Sequence, residues 1–424
     1  MRDMCRYAQR SWRLLCGVSL LALGSPTGRT AAEVLTVDDA VRLAVQQHPA
    51  LQAQQAIIGA AEAELQQART FPYNPRLEVE GIIGHERQET RQTTRTVTVK
   101  LSQEVPLGGK WRQRTQVASA GRDRAHWDVQ NAQRELRKEV KESFYRLVLL
   151  DEKRLLLEQS VDLTQQLVRL AEERYRVGES PQLDVHLARV EVQQVQRQRL
   201  DVLSQQTQAR ASLNRLLARP PDTPVTVRGT LDAPLPPADE TLLRLQALQQ
   251  RPDLRSRQAT VAAAQAEVGL AQAERVPNIE LGVVFEREVT GPGVKQTFGG
   301  SLALALPLWN RNSGAIAAAQ ARTRVAALER TALEQTIATE VAVTMAELQR
   351  LQASMQLLQE SILPQSQANV GFLQHAFSAG QIGMVPLLTE QRAFVALRHE
   401  ALETRLAYRA ALVALETLLG GVTP

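Results

Sequence analysis

Apolar residues recur every seven positions at Leu149, Leu156, Leu163 and Leu170. A second seam steps by four and three through Ile337, Val341, Thr344, Leu348, Leu351, Met355, Leu358 and Ile362. Seams this narrow, with polar residues on the other faces, are the pattern of helices packed as coiled coils. The pattern predicts a helix over residues 110–176 and another over 313–377, each roughly 100 Å long at the helical rise per residue. Pro364 lies inside the second and is expected to kink it, whereas Asp162 stands near that place in the first. Helices of about half that length are predicted over 37–70, 181–218 and 240–274. Two half-length helices laid end to end match one long helix, which points to antiparallel packing in a tube or rod.

The period then changes to two. In "FPYNPRLEVEGIIG", Leu77, Val79, Gly81 and Ile83 alternate with Glu78, Glu80, Ile82 and Gly84. Val97, Val99 and Leu101 alternate with Thr96, Thr98, Lys100 and Ser102, beyond the polar loop "HERQETRQTT". In the second half Ile279, Leu281, Val283 and Phe285 face away from Glu280, Gly282 and Glu286, and Leu302, Leu304 and Leu306 alternate with Ser301, Ala303 and Ala305. These predict strands 77–84, 96–106, 279–287 and 297–307. Pro72, Pro75, Pro106, Pro277 and Pro307 mark the helix–strand junctions, because proline ends helical hydrogen bonding and favours an extended approach. One apolar and one polar face fit a half-buried sheet or a lipid-facing barrel wall equally well. Strands of about ten residues suit a tilted crossing of a bilayer. Four strands cannot close a barrel, and open edges are not tolerated in lipid. A barrel would therefore be shared between chains: two would give eight strands and a filled interior, three would give twelve and room for a channel.

The chain repeats itself. Pro49, Pro75, Pro106, Gly178 and Leu216 pair in order with Pro252, Pro277, Pro307, Gly380 and Leu418, at a nearly constant offset of about 202 residues. Two copies of one unit are expected, at 33–218 and 240–424. The proline-rich segment 219–239, "RPPDTPVTVRGTLDAPLPPAD", joins them as a linker. Each unit reads helix, strand hairpin, long helix, helix.

Composition narrows the function. Arginines ahead of the apolar run "LLCGVSLLALG", with small residues after it, read as a signal peptide over 1–32. Both cysteines, Cys5 and Cys16, fall inside it, so the exported chain would hold no disulfide or cysteine–metal site. Cys16 follows Arg13, Leu14 and Leu15, a poor context for a lipid anchor. Aromatics are only 4%, thin for a globular core, and the net charge of +5 forms no basic stripe with interleaved aromatics, which argues against nucleic acid. His48, His85, His126, His186, His375 and His399 show no metal-ligand spacing. No catalytic constellation, cofactor motif or phosphate-cradling loop is present, so an enzyme is not expected.

The paired motifs "HPAL"/"RPDL", "YNPRLEVEG"/"VPNIELGV", "EVPLGGK"/"ALPLWNR" and "RYRVGESPQLD"/"AFSAGQIGMVP" together resemble the TolC-type outer-membrane efflux family over nearly the whole mature chain. "EVPLGGKWRQR" looks most like the branch that serves cobalt–zinc–cadmium or copper–silver resistance. The resemblance implies a mainly α fold with β strands, four of which contribute to a trimeric twelve-stranded membrane barrel continued by a long periplasmic α-helical barrel. Residues 219–239 would lie in its equatorial region. It implies a homotrimer in the outer membrane, a periplasmic adaptor and an inner-membrane pump as partners, and no cofactor. It places adaptor contacts on the turns, at Val177, Gly178, Glu179, Ala379, Gly380 and Gln381, and an aperture-lining or latching acid at Asp184. The second copy has Pro386 at the matching position and Thr389 after it, so it departs from the family pattern and supplies no acid there. The glycines also serve the turns themselves, and Asp184 also suits a helix start. The competing reading is a periplasmic coiled-coil adaptor, which should show one helical hairpin between β-rich domains instead of two matched copies.

Overall fold

The computed structural model describes residues 33–87, 91–234 and 239–421. The signal-peptide reading, with Cys5 and Cys16, lies outside the described residues. In the first half, β1 (Glu33–Leu35), α1 (Val37–Gln47) and α2 (Pro49–Arg69) lead to β2 (Arg76–Arg87) and β3 (Arg91–Val105). α3 (Lys110–Arg176), α4 (Gln182–Leu216) and β4 (Val225–Val227) complete it. The second half runs α5 (Glu240–Gln250), α6 (Pro252–Ala273), β5 (Ile279–Thr290), β6 (Gly293–Leu304), α7 (Ser313–Leu357), α8 (Leu363–Ser378) and α9 (Met384–Leu418). The chain is mainly helical, and no helix among the described residues is long and apolar enough to cross a membrane.

Proline accounts for three departures from the sequence pattern. The helices expected over 37–70 and 240–274 are each two helices. His48 (φ −67°, ψ 119°) and Arg251 (φ −65°, ψ 122°) are extended because a proline follows each. The helix expected over 313–377 widens into a π turn at Leu358–Ile362 before α8 begins. Pro364 has no N–H to donate and its ring would meet the carbonyl of Glu360, so the wider turn relieves both problems. α3 has no such proline and is continuous for 67 residues.

The half-length helices flank the long ones. α2 and α4 both pack on α3, and α6 packs on α3 and α7. The largest apolar core lies midway along α3, where Phe144, Leu147 and Leu157 are fully buried against α1, α4 and the short parallel pair β1–β4. A Cβ on Gly229 would stand 2.9 Å from the Phe144 ring, so the linker runs directly over that side chain. A second core sets Ile337, Val341 and Leu348 of α7 against Leu243, Leu254, Tyr408 and Leu412. Phe144→Ala is expected to destabilise this equator by ~3–5 kcal/mol, through lost burial and the cavity left behind. Thermal unfolding of the purified protein checks it, and an unchanged midpoint would mean that the equator does not hold the helices together.

Where the halves meet, Arg251 bonds Asp253 (2.6 Å) and Glu340 (2.8 Å), and Arg134 lies 3.5 Å from Asp253. Burial pushes the Asp253 carboxyl up, but the bonds from Arg251 and the charges of Arg251 and Arg134 outweigh it and hold the group below its ordinary range.

Candidate functional site

The four long strands form one antiparallel sheet in the order β2–β3–β5–β6. The prolines at the junctions turn the chain out of its helices into this sheet. At the far end of the second hairpin, Gly291 (φ +57°) and Pro292 make a two-residue turn that carries the ladder from Ile279–Leu304 to Thr290–Gly293. The strands expected at 279–287 and 297–307 are therefore 279–290 and 293–304.

Register sorts the side chains onto two faces. Leu77, Leu101, Val283 and Gly300 align across the sheet, as do Val79, Val99, Phe285 and Phe298. Leu281 opposite Leu302 and Ile279 opposite Leu304 continue the same face. This apolar face is open: Val79 is 67% exposed, Phe298 78% and Leu302 71%. The opposite face carries Glu78, Glu80, Glu104, Glu280, Glu286 and Glu288, with Arg76, Lys100 and Lys295. Lys100 lies 3.6 Å from Glu280, and Arg76 lies 3.9 Å from Glu78. One row across this face reads Glu80–Thr98–Glu286–Thr297, with no cation in it. Sequence alternation identified these faces, but the row requires the register and cannot be read from the chain alone.

A polar knot joins the sheet to the helices. Buried Lys110, at the start of α3, donates to Asn278 Oδ1 (2.5 Å). Asn278 in turn donates to Tyr73 Oη (2.9 Å) and Glu104 Oε1 (2.5 Å). Burial pushes the Lys110 ammonium below its ordinary range, with Glu274 and Glu104 opposing. Trp111 packs edge-on against Phe71, and Trp309, in the segment between β6 and α7, is 92% exposed.

At the opposite end of the helices, two turns share one geometry. After α3, Glu179 N–H bonds the Arg174 carbonyl (2.8 Å) and Gly178 N–H the Tyr175 carbonyl (3.0 Å). After α8, Gln381 N–H bonds the Ala376 carbonyl (2.9 Å) and Gly380 N–H the Phe377 carbonyl (3.1 Å). Both glycines are left-handed, at φ +82° and +76°, as this helix ending requires. Val177, Gly178, Glu179, Ala379, Gly380 and Gln381 are all exposed on these turns.

The two turns are joined by a residue the sequence did not single out. Buried Arg174 donates to the Phe377 carbonyl (2.5 Å) and the Glu179 carbonyl (3.1 Å) and lies over the Phe377 ring. Asp184 is 6% exposed and accepts from Met384 N–H (3.4 Å), the first residue of α9. Its carboxylate thus serves two helix N-termini, that of its own α4 and that of α9. Further along, buried Glu191 accepts from Arg392 Nε (2.6 Å), and that bond raises the Arg392 guanidinium further. Between these links Leu167, Ala171, Val185, Phe377, Leu387 and Leu388 form an apolar cluster.

The outer membrane efflux protein family matches this chain over residues 40–219 and again over 243–421. The chain belongs to that family. It is an outer-membrane efflux channel, a passive conduit and not an enzyme, with its helices on the periplasmic side. The cobalt-zinc-cadmium resistance protein CzcC of Cupriavidus metallidurans is 26% identical over 371 residues, covering 87% of this chain and 86% of that protein. The pyoverdine export outer membrane protein OpmQ of Pseudomonas putida is 25% identical over 347 residues, covering 78% and 72%. Among solved structures, a CusC channel superposes with a TM-score of 0.77 at 18% identity, over 91% of this chain and 92% of that one. The outer membrane protein VceC of Vibrio cholerae gives 0.75 at 17% identity, over 91% and 96%. These similarities set the fold of the efflux channel beside that of solved relatives and disfavour the adaptor reading.

Proposed function

We propose that three copies of this efflux channel close one twelve-stranded barrel, pairing the free edge of β2 in one copy with the free edge of β6 in the next. Each chain supplies four strands and leaves both of those edges without a partner, which lipid does not tolerate. The apolar face meets lipid and the acidic face lines the lumen. The helices extend the lumen through the periplasm, and the exposed turns at Val177–Glu179 and Ala379–Gln381 dock an adaptor that couples the conduit to an inner-membrane pump. Asp184 latches the two helical hairpins of one chain while the aperture is shut.

The cargo is cationic, of the transition-metal class named for the relative CzcC. The observation that carries this is the segregation of charge across the wall: every carboxylate of the four-stranded sheet whose side chain is described lies on the face assigned to the lumen, and Glu80 and Glu286 share a row without a cation. Among the described residues no cluster of three or more His, Cys, Asp or Glu is arranged to hold a metal. The wall therefore screens cations as they pass instead of ligating them, as a ring of carboxylates does in cation channels.

Glu80→Gln combined with Glu286→Gln is expected to lower the cation-to-anion permeability ratio several-fold, with trimer yield unchanged. Reversal potentials across a planar bilayer under a salt gradient measure it, and an unaltered ratio removes the row from the selectivity account. Deletion of the channel followed by sensitivity tests across cobalt, zinc, cadmium, copper and siderophores identifies the cargo. Loss of siderophore export with intact metal resistance would overturn the cationic assignment.

A further inference from the structure

We infer that Arg95 and Arg287 form a seat on the outward face of the barrel for phosphate groups of the surrounding outer-leaflet lipid. The inference rests on the barrel reading above. In the register, Val97 lies opposite Arg287, and Arg95 stands two residues along β3 from Val97 on the same face. The two arginines are thus diagonal neighbours, with Cα atoms about 7–8 Å apart. Both are exposed, and neither takes part in an ion pair among the described residues.

Their position matters as much as their charge. Along β3 the outward face reads Leu101, Val99, Val97, Arg95; along β5 it reads Leu281, Val283, Phe285, Arg287, Val289. Arg95 ends the apolar run of β3, and Arg287 lies one outward-facing step before the last such residue of β5, Val289; both stand toward the side away from the helices, near the level of the outer headgroups. Among the strand residues whose side chains are described, this face carries no carboxylate at all; Glu78, Glu80, Glu104, Glu280, Glu286 and Glu288 have the opposite parity. The polar neighbours on this face, Gln296 opposite Arg287 and the His85–Thr93 pair (3.4 Å) one step beyond Arg95, carry no negative charge either. Two neighbouring guanidiniums repel each other, and the described residues of the wall offer them no counter-ion. A phosphate monoester supplies the charge and the oxygen geometry that guanidinium forks match. Its alkyl chains would continue down the apolar belt beneath the arginines, which a free phosphate could not do.

The test uses the purified full-length trimer and three probes: bisphosphorylated lipid A, the same lipid dephosphorylated, and inorganic phosphate. Native mass spectrometry counts lipids retained per trimer. Wild type is expected to retain the bisphosphorylated lipid at least tenfold better than Arg95→Gln/Arg287→Gln, and to show no such preference for the dephosphorylated lipid. Millimolar inorganic phosphate should not displace the lipid. The Arg95→Lys/Arg287→Lys pair should recover part of the retention. Equal retention by wild type and the Gln pair, or equal retention of both lipids, overturns the seat, and displacement by inorganic phosphate overturns the lipid as its occupant. Failure of the barrel reading has a different signature: wild-type protein would leave membranes without detergent, and the lipid seat would fall with it.

Discussion

Leu101→Arg is expected to abolish membrane assembly, whereas Thr98→Arg, three residues earlier on the same strand, leaves assembly intact. Leu101 aligns with Leu77 and Val283 in the middle of the apolar face, and Thr98 aligns with Glu80 and Glu286 on the acidic one. An arginine facing lipid near the bilayer midplane costs about 2–4 kcal/mol. A trimer carries the substitution three times, so the total approaches ~10 kcal/mol, comparable with the whole stability of a typical domain. The arginine at position 98 instead enters water beside two carboxylates and should only change the current carried. Detergent extraction followed by size analysis of heat-sensitive trimers reads the outcome. Normal trimers from Leu101→Arg would mean that this face does not meet lipid, and the transport interpretation of the sheet would lose its basis.

The contrast between those two positions shows how far the sequence reaches. Period-two alternation separates Leu101 from Thr98 without any structure, because neighbours on a strand point to opposite faces. The seven-residue steps at Leu149 and Leu156 likewise mark buried positions, and both side chains are buried. Alternation gives no information about which residue sits across from which. The Glu80–Thr98–Glu286–Thr297 row and the Arg95–Arg287 pair both join residues roughly 200 positions apart, so only the register exposes them. Proline effects were half legible. Pro364 announced a disturbance, but its form, a π turn absorbed within an otherwise continuous rod, depends on how α7 packs. Pro49 and Pro252 lay inside strong helical patterns that masked the breaks before them. At the distal end the glycines of the two turns stand out in the sequence. Arg174 does not, because an arginine in the last turn of a helix ordinarily complements the dipole at the surface. Its burial follows from the second hairpin folding against the first, a contact between residues about 200 positions apart.

That contact leads to the second large expected effect. Asp184→Ala should raise the conductance of the isolated channel several-fold, and Arg174→Met should do the same. Each hairpin pair is joined at its tip by few groups: Arg174 to the Phe377 carbonyl, Asp184 to Met384 N–H, Glu191 to Arg392, and the small apolar cluster between them. Removing Arg174 leaves a buried carbonyl without its charged donor, at a cost of about 1–3 kcal/mol. Removing the Asp184 carboxylate withdraws a negative charge from two helix N-termini, about 1–2 kcal/mol in a buried setting. Threefold symmetry applies either loss three times to the shut state. A splayed tip recovers solvent for the same groups and loses little. The equatorial core around Phe144 lies far along α3 from this end, so the trimer itself should persist. Asp184→Asn keeps an acceptor for Met384 N–H without the charge and should fall between wild type and Asp184→Ala. Single-channel recording in planar bilayers separates the outcomes. A current equal to wild type in both Asp184→Ala and Arg174→Met, with intact trimers, would show that these bonds only shape the turns, and the element that holds the aperture shut would have to lie between neighbouring copies instead of within one.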